Sequence, residues 1–331
     1  MKFFILMAIS YLNMHSQITV GDAVFNNVHS FTIDQSVKEL SDKATIILPR
    51  NYLKLKNSPV LNYIHAGAPV TIGFGYNDDF ETEFTGFVRP GIDADFPLRI
   101  ECDQLYPLRQ NSHALSYQSV TLKHLLNDVV KGYKIECPDV NLGKIRIRKG
   151  TSTMEVLRYI RETFGLSAKV FPDNVLRMWW PYDFVQGFTK TYDYTIGLNV
   201  RSVKNLKFLQ EVDFNTQVTI NILQRNGKKR QVFFGDKEES LNAKPIQLHR
   251  YDITDAEALQ LAKSINQRIN YDGYFGSLQG FGIPRTKAGD SIRIINDYMP
   301  EREGTYVTER VLIEYAEAHI YRNNFLSFKA A

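Results

Sequence analysis

Seven histidines are the first residues to test for chemistry: His15, His29, His65, His113, His124, His249 and His319. No two of them stand four apart, the spacing that puts two ligands on one helix face, and no H-E-x-x-H run occurs. A metal role is not expected of any of them; surface or satisfied core positions are. Carboxylates are more numerous. Asp78, Asp79, Glu81 and Glu83 cluster in one stretch, Glu301 and Glu303 in another, and Asp93 and Asp95 in a third. Glycoside hydrolysis needs two such groups across a cleft. These stand at hairpin tips and in loops, where acidic groups are ordinarily just solvated. A serine nucleophile would want a G-x-S-x-G elbow, and none is present. Gly73-Phe74-Gly75 has the glycines of a phosphate loop but lies in a strand pattern without a following helix. Strand glycines of this kind mark a bulge. The expected lists of catalytic, cofactor-binding and metal-binding residues are therefore empty, and no cofactor is expected.

Two basic runs remain. Gly227-Lys228-Lys229-Arg230 sits at a hairpin tip, and Arg146, Arg148 and Lys149 end a predicted strand. Either can touch phosphate, but charge that protects an edge or loop from aggregation is the favoured reading. Trp179-Trp180-Pro181 with Tyr182 can be a sugar-stacking platform; a contact between domains or subunits is favoured. Cys102 and Cys137 have no repeated spacing, so buried free thiols are expected rather than a disulfide or zinc site.

The elements that must position these groups are mostly strands. The chain has 331 residues, more than one comfortable core. Hydrophobic residues make up 44% and charged residues 23%, which excludes global disorder. A net charge of +4 is too small to argue for a nucleic-acid binder. Residues 1–17 hold an apolar run that resembles a short secretory signal; an edge strand is the favoured reading, since no Ala-x-Ala site follows. No stretch is expected to span a membrane.

Alternation predicts strands at Val28–Ile33, Ala44–Leu48, Pro69–Tyr76, Glu81–Pro90 and Phe96–Cys102, with a polar loop over Asp34–Lys43 and a loop or short helix over Asn51–His65. Helical spacing follows at Thr121–Lys131, stopped by Gly132, and at Met154–Phe164, opened by a Ser152/Glu155 capping box and stopped by Gly165. Strand-like segments lie at Gly143–Arg148, Ser167–Phe171 and Val175–Trp180. Residues 183–200 read as a connector. Val218–Leu223 and Arg230–Phe234 flank Asn226-Gly227, a hairpin signal. Asp236–Pro245 reads as a polar loop. A helix over Thr254–Ile269, capped by Thr254 and Glu257, should bury Leu259, Ala262, Ile265 and Ile269. Gly273, Gly276, Gly280 and Gly282 should interrupt the chain before a closing meander at Asp290–Ile295, Thr305–Tyr315 and His319–Phe328. The charges and aromatics on the outward face of that meander suit a surface that another protein covers.

The order of these parts resembles the baseplate hub family of phage tails, which includes the late control protein of temperate phages, the myophage baseplate hub and the hub portion of type VI secretion spikes. The resemblance rests on TIILPRN at 45–51, PVTIGFGYNDDFETEFTGFV at 69–88, DFPLRIEC at 95–102, SVTLKHLL at 119–126, and the closing G-D-S-I-R-I and G-T-Y-V-T-E-R-V. It runs from about residue 18 to 328.

The fold class expected is α+β, mostly β: two tube-type β-barrel domains flanking a small α/β domain. The first barrel takes residues 1–112 and the α/β domain 113–182. The second barrel takes 183–331, with strands over 200–234 and 276–328 and a helical insertion at 236–275. The resemblance further implies a homotrimer whose ring adapts a six-fold tail tube to a three-fold spike. It places the protein in the virion tail after assembly in the host cytoplasm, acting without catalysis, with DNA passing through the lumen unbound. Spike-fused relatives continue into a further domain; this chain stops at Ala331, so a separate spike protein is the expected partner beside the tail tube protein. A secreted β-rich protein that binds glycans or another ligand is the alternative.

Overall fold

The computed structural model describes residues 14–330 apart from 27, 50–63, 78, 93–96, 172–173, 181–189, 211–216, 225, 236–244, 271 and 317–318. The chain forms two compact units. One takes the residues before Ile33 together with Ala44–Gln104 and Glu314–Ile320; the other takes Ile33–Lys43, Leu105–Ile313 and the residues from Tyr321 on. Most residues are in strands, so the β-rich α+β class holds.

The first unit is built from β1 (Met14–Val20), β2 (Ala23–Phe25), the start of β3 (Ser30–Ser36), β4 (Lys43–Leu48) from Ala44 on, β5 (Pro69–Tyr76), β6 (Asp79–Val88) and β7 (Leu98–Asp103); the strand order is β3-β4-β7-β6-β5-β1-β2. Alternate residues point inward: Ile18, Val20, Phe31, Ile33, Ile46, Leu48, Ile72 and Phe74 are all buried. Residues 14–17 of the N-terminal run are strand, and residues 1–13 lie outside the described residues. The Asn51–His65 stretch lies almost wholly outside them as well. Asp34–Ser36, expected in a loop, continue β3. The bulge expected at the strand glycines is present. The β5–β6 register shifts between Ile72 and Gly73, and a Cβ on Gly73 would stand 2.5 Å from the Phe80 ring.

The second unit opens with α1 (Tyr106–Gln110), β8 (Ser112–Thr121), α2 (Leu122–Val129), β9 (Lys134–Glu136), β10 (Asn141–Ser152), α3 (Thr153–Phe164), β11 (Ser167–Phe171) and β12 (Val175–Trp179). Thr121 caps α2 by accepting from the His124 N–H, and Leu122, Leu125, Leu126 and Val129 form its buried stripe. The helix stops at an extended Val130 rather than at Gly132. The α3 capping box is complete in both directions, and Gly165 ends the helix in the left-handed region. Both helices cover one apolar cluster with β8, β10 and the β11-β12-β9 sheet.

Three strands here differ from expectation; the short β9 is one that no alternation marked. β8 was not expected at all, because its polar face carries small residues rather than a clear alternation with charge. β10 extends through Ser152, so Arg146, Arg148 and Lys149 lie within a strand and not at its end. The loop after β3 belongs to this unit. Its Asp42 carboxylate pairs with the Lys169 ammonium at 3.0 Å, both groups nearly buried, and Ser41 Oγ accepts from the Leu105 N–H.

The rest of the unit is β13 (Thr191–Thr195), β14 (Val200–Ser202), β15 (Leu206–Leu209), β16 (Val218–Leu223), β17 (Lys229–Phe234), β18 (Ile246–Tyr251), α4 (Asp255–Ile269), β19 (Gly273–Phe281), β20 (Ser291–Ile295), β21 (Gly304–Ala316) as far as Ile313, and β22 (His319–Lys329) from Tyr321 on. The expected 183–200 connector contains β13, which runs parallel to β20. The expected glycine interruption is strand β19. Its glycines allow close approach instead of breaking the chain: a Cβ on Gly280 would lie 2.7 Å from the Tyr194 ring, and one on Gly276 only 2.1 Å from the Asn205 carbonyl oxygen.

β18 was also not expected; it pairs with β16 in parallel, and β17 flanks β16 on the other side. The Asp236–Pro245 loop lies mostly outside the described residues. α4 packs on the β17-β16-β18 sheet through Ala258, Ala262 and Ile265. Leu259, expected in that stripe, is 46% exposed; Ala258 takes its place, four residues before Ala262 and so on the same helix face, while Ala262 and Ile265 are buried as expected.

Candidate functional site

The closing strands are locked by a buried polar network. Tyr194 on β13 shares a 3.0 Å hydrogen bond with Thr286, whose hydroxyl lies 2.6 Å from Asn324 Oδ1 on β22. Asn324 Nδ2 donates back to the Tyr194 hydroxyl. Arg322, fully buried beside them, donates to the carbonyls of Gly282 and Thr286. Asp290, in the G-D-S-I-R-I run, accepts from the backbone N–H groups of Lys287 and Lys190. Burial outweighs those donors and raises its carboxyl pKa above the ordinary value. The network fixes the entry of β20 and leaves no acid or nucleophile facing solvent at a cleft. Its chemistry is that of a clamp.

An exposed apolar tip stands at the end of β20. Asn296 Oδ1 accepts from the N–H groups of Tyr298 and Met299, and Asn296 Nδ2 donates to the Tyr274 hydroxyl at 2.9 Å. The Glu303 carboxylate accepts from the Asn296 N–H. This loop presents Tyr298 at 84% exposure beside the β13–β14 turn, where Leu198 is 76% exposed. A rigidly held aromatic with an aliphatic neighbour is the make-up of an interface anchor. No periodicity marks it, since both residues lie in turns.

A cleft of about 670 Å³ opens where the outer face of the β17-β16-β18 sheet meets the end of α3. Phe164, Trp180 and Tyr251 supply its aromatic walls, and Asn221, Gln231 and Gln247 its amides. The Arg250 guanidinium lies 5.0 Å from the Trp180 ring centre and donates to the His249 carbonyl. The His249 ring packs on Gly165, whose missing Cβ makes the room. Burial, then the positive Lys229, lowers the His249 pKa below the ordinary imidazole value.

The residues weighed for chemistry do not converge. Among the described residues, no three His, Cys, Asp or Glu side chains are placed to hold a metal ion. Glu81 is exposed on β6 while Glu83, two residues on, is buried; acidic residues in this hairpin are thus not all solvated. Asp78, Asp93 and Asp95 lie outside the described residues, as does the Asp79 side chain.

Trp179 and Trp180 do not make one platform. Trp179 packs with Val307, Val37, Phe171 and Phe328, whereas Trp180 faces the cleft under Arg250. Pro181 and Tyr182 lie outside the described residues. Cys102 is buried and Cys137 only half-buried. Lys228 and Lys229 stand exposed at the β16–β17 turn, and Arg230 pairs with Asp255 at 3.0 Å. Among the described residues no helix is long and apolar enough to cross a membrane.

This combination of a β-rich frame, a clamped closing meander and a presented apolar tip has the fold of tail proteins. The chain is similar to the 43 kDa tail protein of prophage MuSo2 from Shewanella oneidensis, at a TM-score of 0.61 and 16% identity over 95% of this chain and 98% of that one. It is equally similar to a tail protein from Neisseria meningitidis, at 0.61 and 14% over 95% and 96%. An Escherichia coli type VI secretion component, itself described as similar to the T4 tail proteins gp27 and gp5, aligns at 0.50 and 10% over 97% of this chain and 77% of that one. The resemblance to the baseplate hub family therefore holds in the fold. No protein-family model matches the chain, and no curated protein matches it in sequence.

Proposed function

We propose that this chain is a structural tail protein of a phage or prophage, acting as the baseplate hub. The observation that carries the reading is mutual coverage. Two prophage or bacterial tail proteins align with 95% of this chain, and at least 96% of each is itself covered, so the likeness spans whole architectures and not one shared motif. In this reading residues 1–112 and 183–331 are two tube-type β-barrel domains, and residues 113–182 are the α/β domain between them. Three copies close a ring by head-to-tail contacts. The ring adapts a six-fold tail tube to a three-fold spike, and DNA passes through its lumen. The protein is non-enzymatic, is assembled in the host cytoplasm and resides in the virion tail. Its basic groups, Lys228 and Lys229 included, point away from the lumen, because each phosphate contact would slow passage.

Light scattering of the purified protein, alone and with tube and spike proteins encoded beside it, tests the reading. A species of three times the 38.1 kDa chain mass is expected, alone at high concentration or once the partners are added. A strict monomer that binds neither partner would sink it.

A further inference from the structure

Among the described residues β8 and β10 pair only with each other, forming a two-stranded antiparallel ribbon. Its inner face, with Val120, Leu142, Ile145 and Ile147, closes the apolar cluster under α2 and α3. On the outer face of β10, Lys144, Arg146 and Arg148 are all exposed, and Lys149 follows them. None of these four cations makes an ion pair or hydrogen bond among the described residues. Arginines on other strands are paired: the exposed Arg293 with Asp193 and Arg99 with Glu101, and the half-buried Arg310 with Asp34. The facing strand offers no compensation. Ser116 stands opposite Arg146, and β8 contains no Asp or Glu, nor does β10.

Successive cations on that face are ~6.6–6.8 Å apart, two strand residues. That is inside the ~8 Å screening length at physiological salt, so each raises the potential at the next. Protection of an open edge does not explain the row. Both strands of the ribbon have an open edge, yet all the charge is on β10.

We propose that this face docks an acidic face of a different protein, one that presents carboxylates at alternate positions of an extended strand. Lys144, Arg146 and Arg148 alternate with the buried Ile145 and Ile147, the period such a row has, although β10 is in regular register with β8 only over Ile145–Ile147. Single-stranded nucleic acid fits less well, because Tyr117, the ribbon's one aromatic, packs against the inner cluster and leaves no outer ring for bases to stack on. Duplex DNA fits less well too: the chain's pI of 8.8 and net charge of +4 give no wider basic field around the ribbon. The proposal rests on the hub reading only in taking the partner to be another tail component.

Fluorescence anisotropy of the full chain with a labelled acetyl-(Glu-Thr)4-amide peptide tests it, beside a (Lys-Thr)4 peptide and a 20-base-pair DNA duplex. The acidic peptide should bind saturably at low salt and weaken at least tenfold on going to 300 mM salt. Lys144→Glu/Arg146→Glu/Arg148→Glu should weaken it at least tenfold and create binding of the lysine peptide. The neutral Lys144→Gln/Arg146→Gln/Arg148→Gln variant should lose the acidic peptide without gaining the other. Circular dichroism of both variants should match the parent, since the replaced side chains are exposed.

Absence of acidic-peptide binding, unchanged binding by the reversed variant, or tighter binding of the duplex than of the peptide would each overturn the proposal. Light scattering separates it from the hub reading. The reversed variant should keep the parent's oligomeric state; its collapse to monomer would make the ribbon a contact between copies and refute a different partner. A parent that is monomeric yet binds the acidic peptide would sink the ring and leave the docking face standing.

Discussion

Gly276 illustrates how a single missing carbon holds this fold. Its backbone is at φ +102, and a Cβ would meet the Asn205 carbonyl oxygen at 2.1 Å. Backbone cannot give way as a flexible side chain can. Gly276→Ala should therefore cost ~2–4 kcal/mol in chemical denaturation, combining left-handed strain with displacement of the segment before β15.

Cys102 makes a second prediction. Burial, helped by the negative Glu101 and then Asp103, pushes its thiol pKa from 9.0 to about 12. The folded protein holds this proton more tightly than the unfolded chain does. The contribution to stability is thus complete below pH 9 and is lost as pH rises toward 12. Unfolding midpoints measured across that range should fall more steeply for the parent than for Cys102→Ala. A thiol reagent at pH 8 should label Cys102 only after denaturant is added.

Local signals at the element level were readable; pairings at a distance were not. Ser152 with Glu155 and Thr254 with Glu257 both form complete capping boxes, because a cap needs only the residues of one helical turn. Thr254→Ala should cost about 1 kcal/mol, read as a lowered unfolding midpoint with the fold intact. The two boxes also weaken in acid: hydrogen bonds from Ser152 and Thr254 lower the pKa values of Glu155 and Glu257, so their support fades as pH falls through those values.

β8, β13, β18 and β19 escaped the sequence for physical reasons. β13 and β18 are strands because distant parallel partners, β20 and β16, complete their hydrogen bonds. β19 carries glycines that look like breaks until Tyr194 and Asn205 are seen against them. The apolar tip escaped too: Tyr298 and Leu198 lie a hundred residues apart, and only the fold brings their turns together.

At the scale of the whole molecule, assembly should be separable from stability. Tyr298→Ser with Leu198→Ser removes two exposed side chains and should leave the unfolding midpoint within ~0.5 kcal/mol of the parent. If the tip is a subunit anchor, the same change should weaken oligomers at least tenfold by light scattering. A conduit reading also predicts that the parent fails to shift duplex DNA in a gel at physiological salt. Retention there would place unpaired cations where DNA travels.

The parallel match of Thr191–Thr195 with Ser291–Ile295 has a further effect, on the order in which the protein can be made. At ~5–20 residues per second on the ribosome, the first of these strands waits roughly 5–20 s for its mate to be synthesised. The unit that holds the N-terminal strands waits longer still, since Glu314–Ile320 belong to it. Nascent chains released before the last strands emerge would expose unmatched sheet edges, so the final few dozen codons decide whether the earlier ones yield a soluble product.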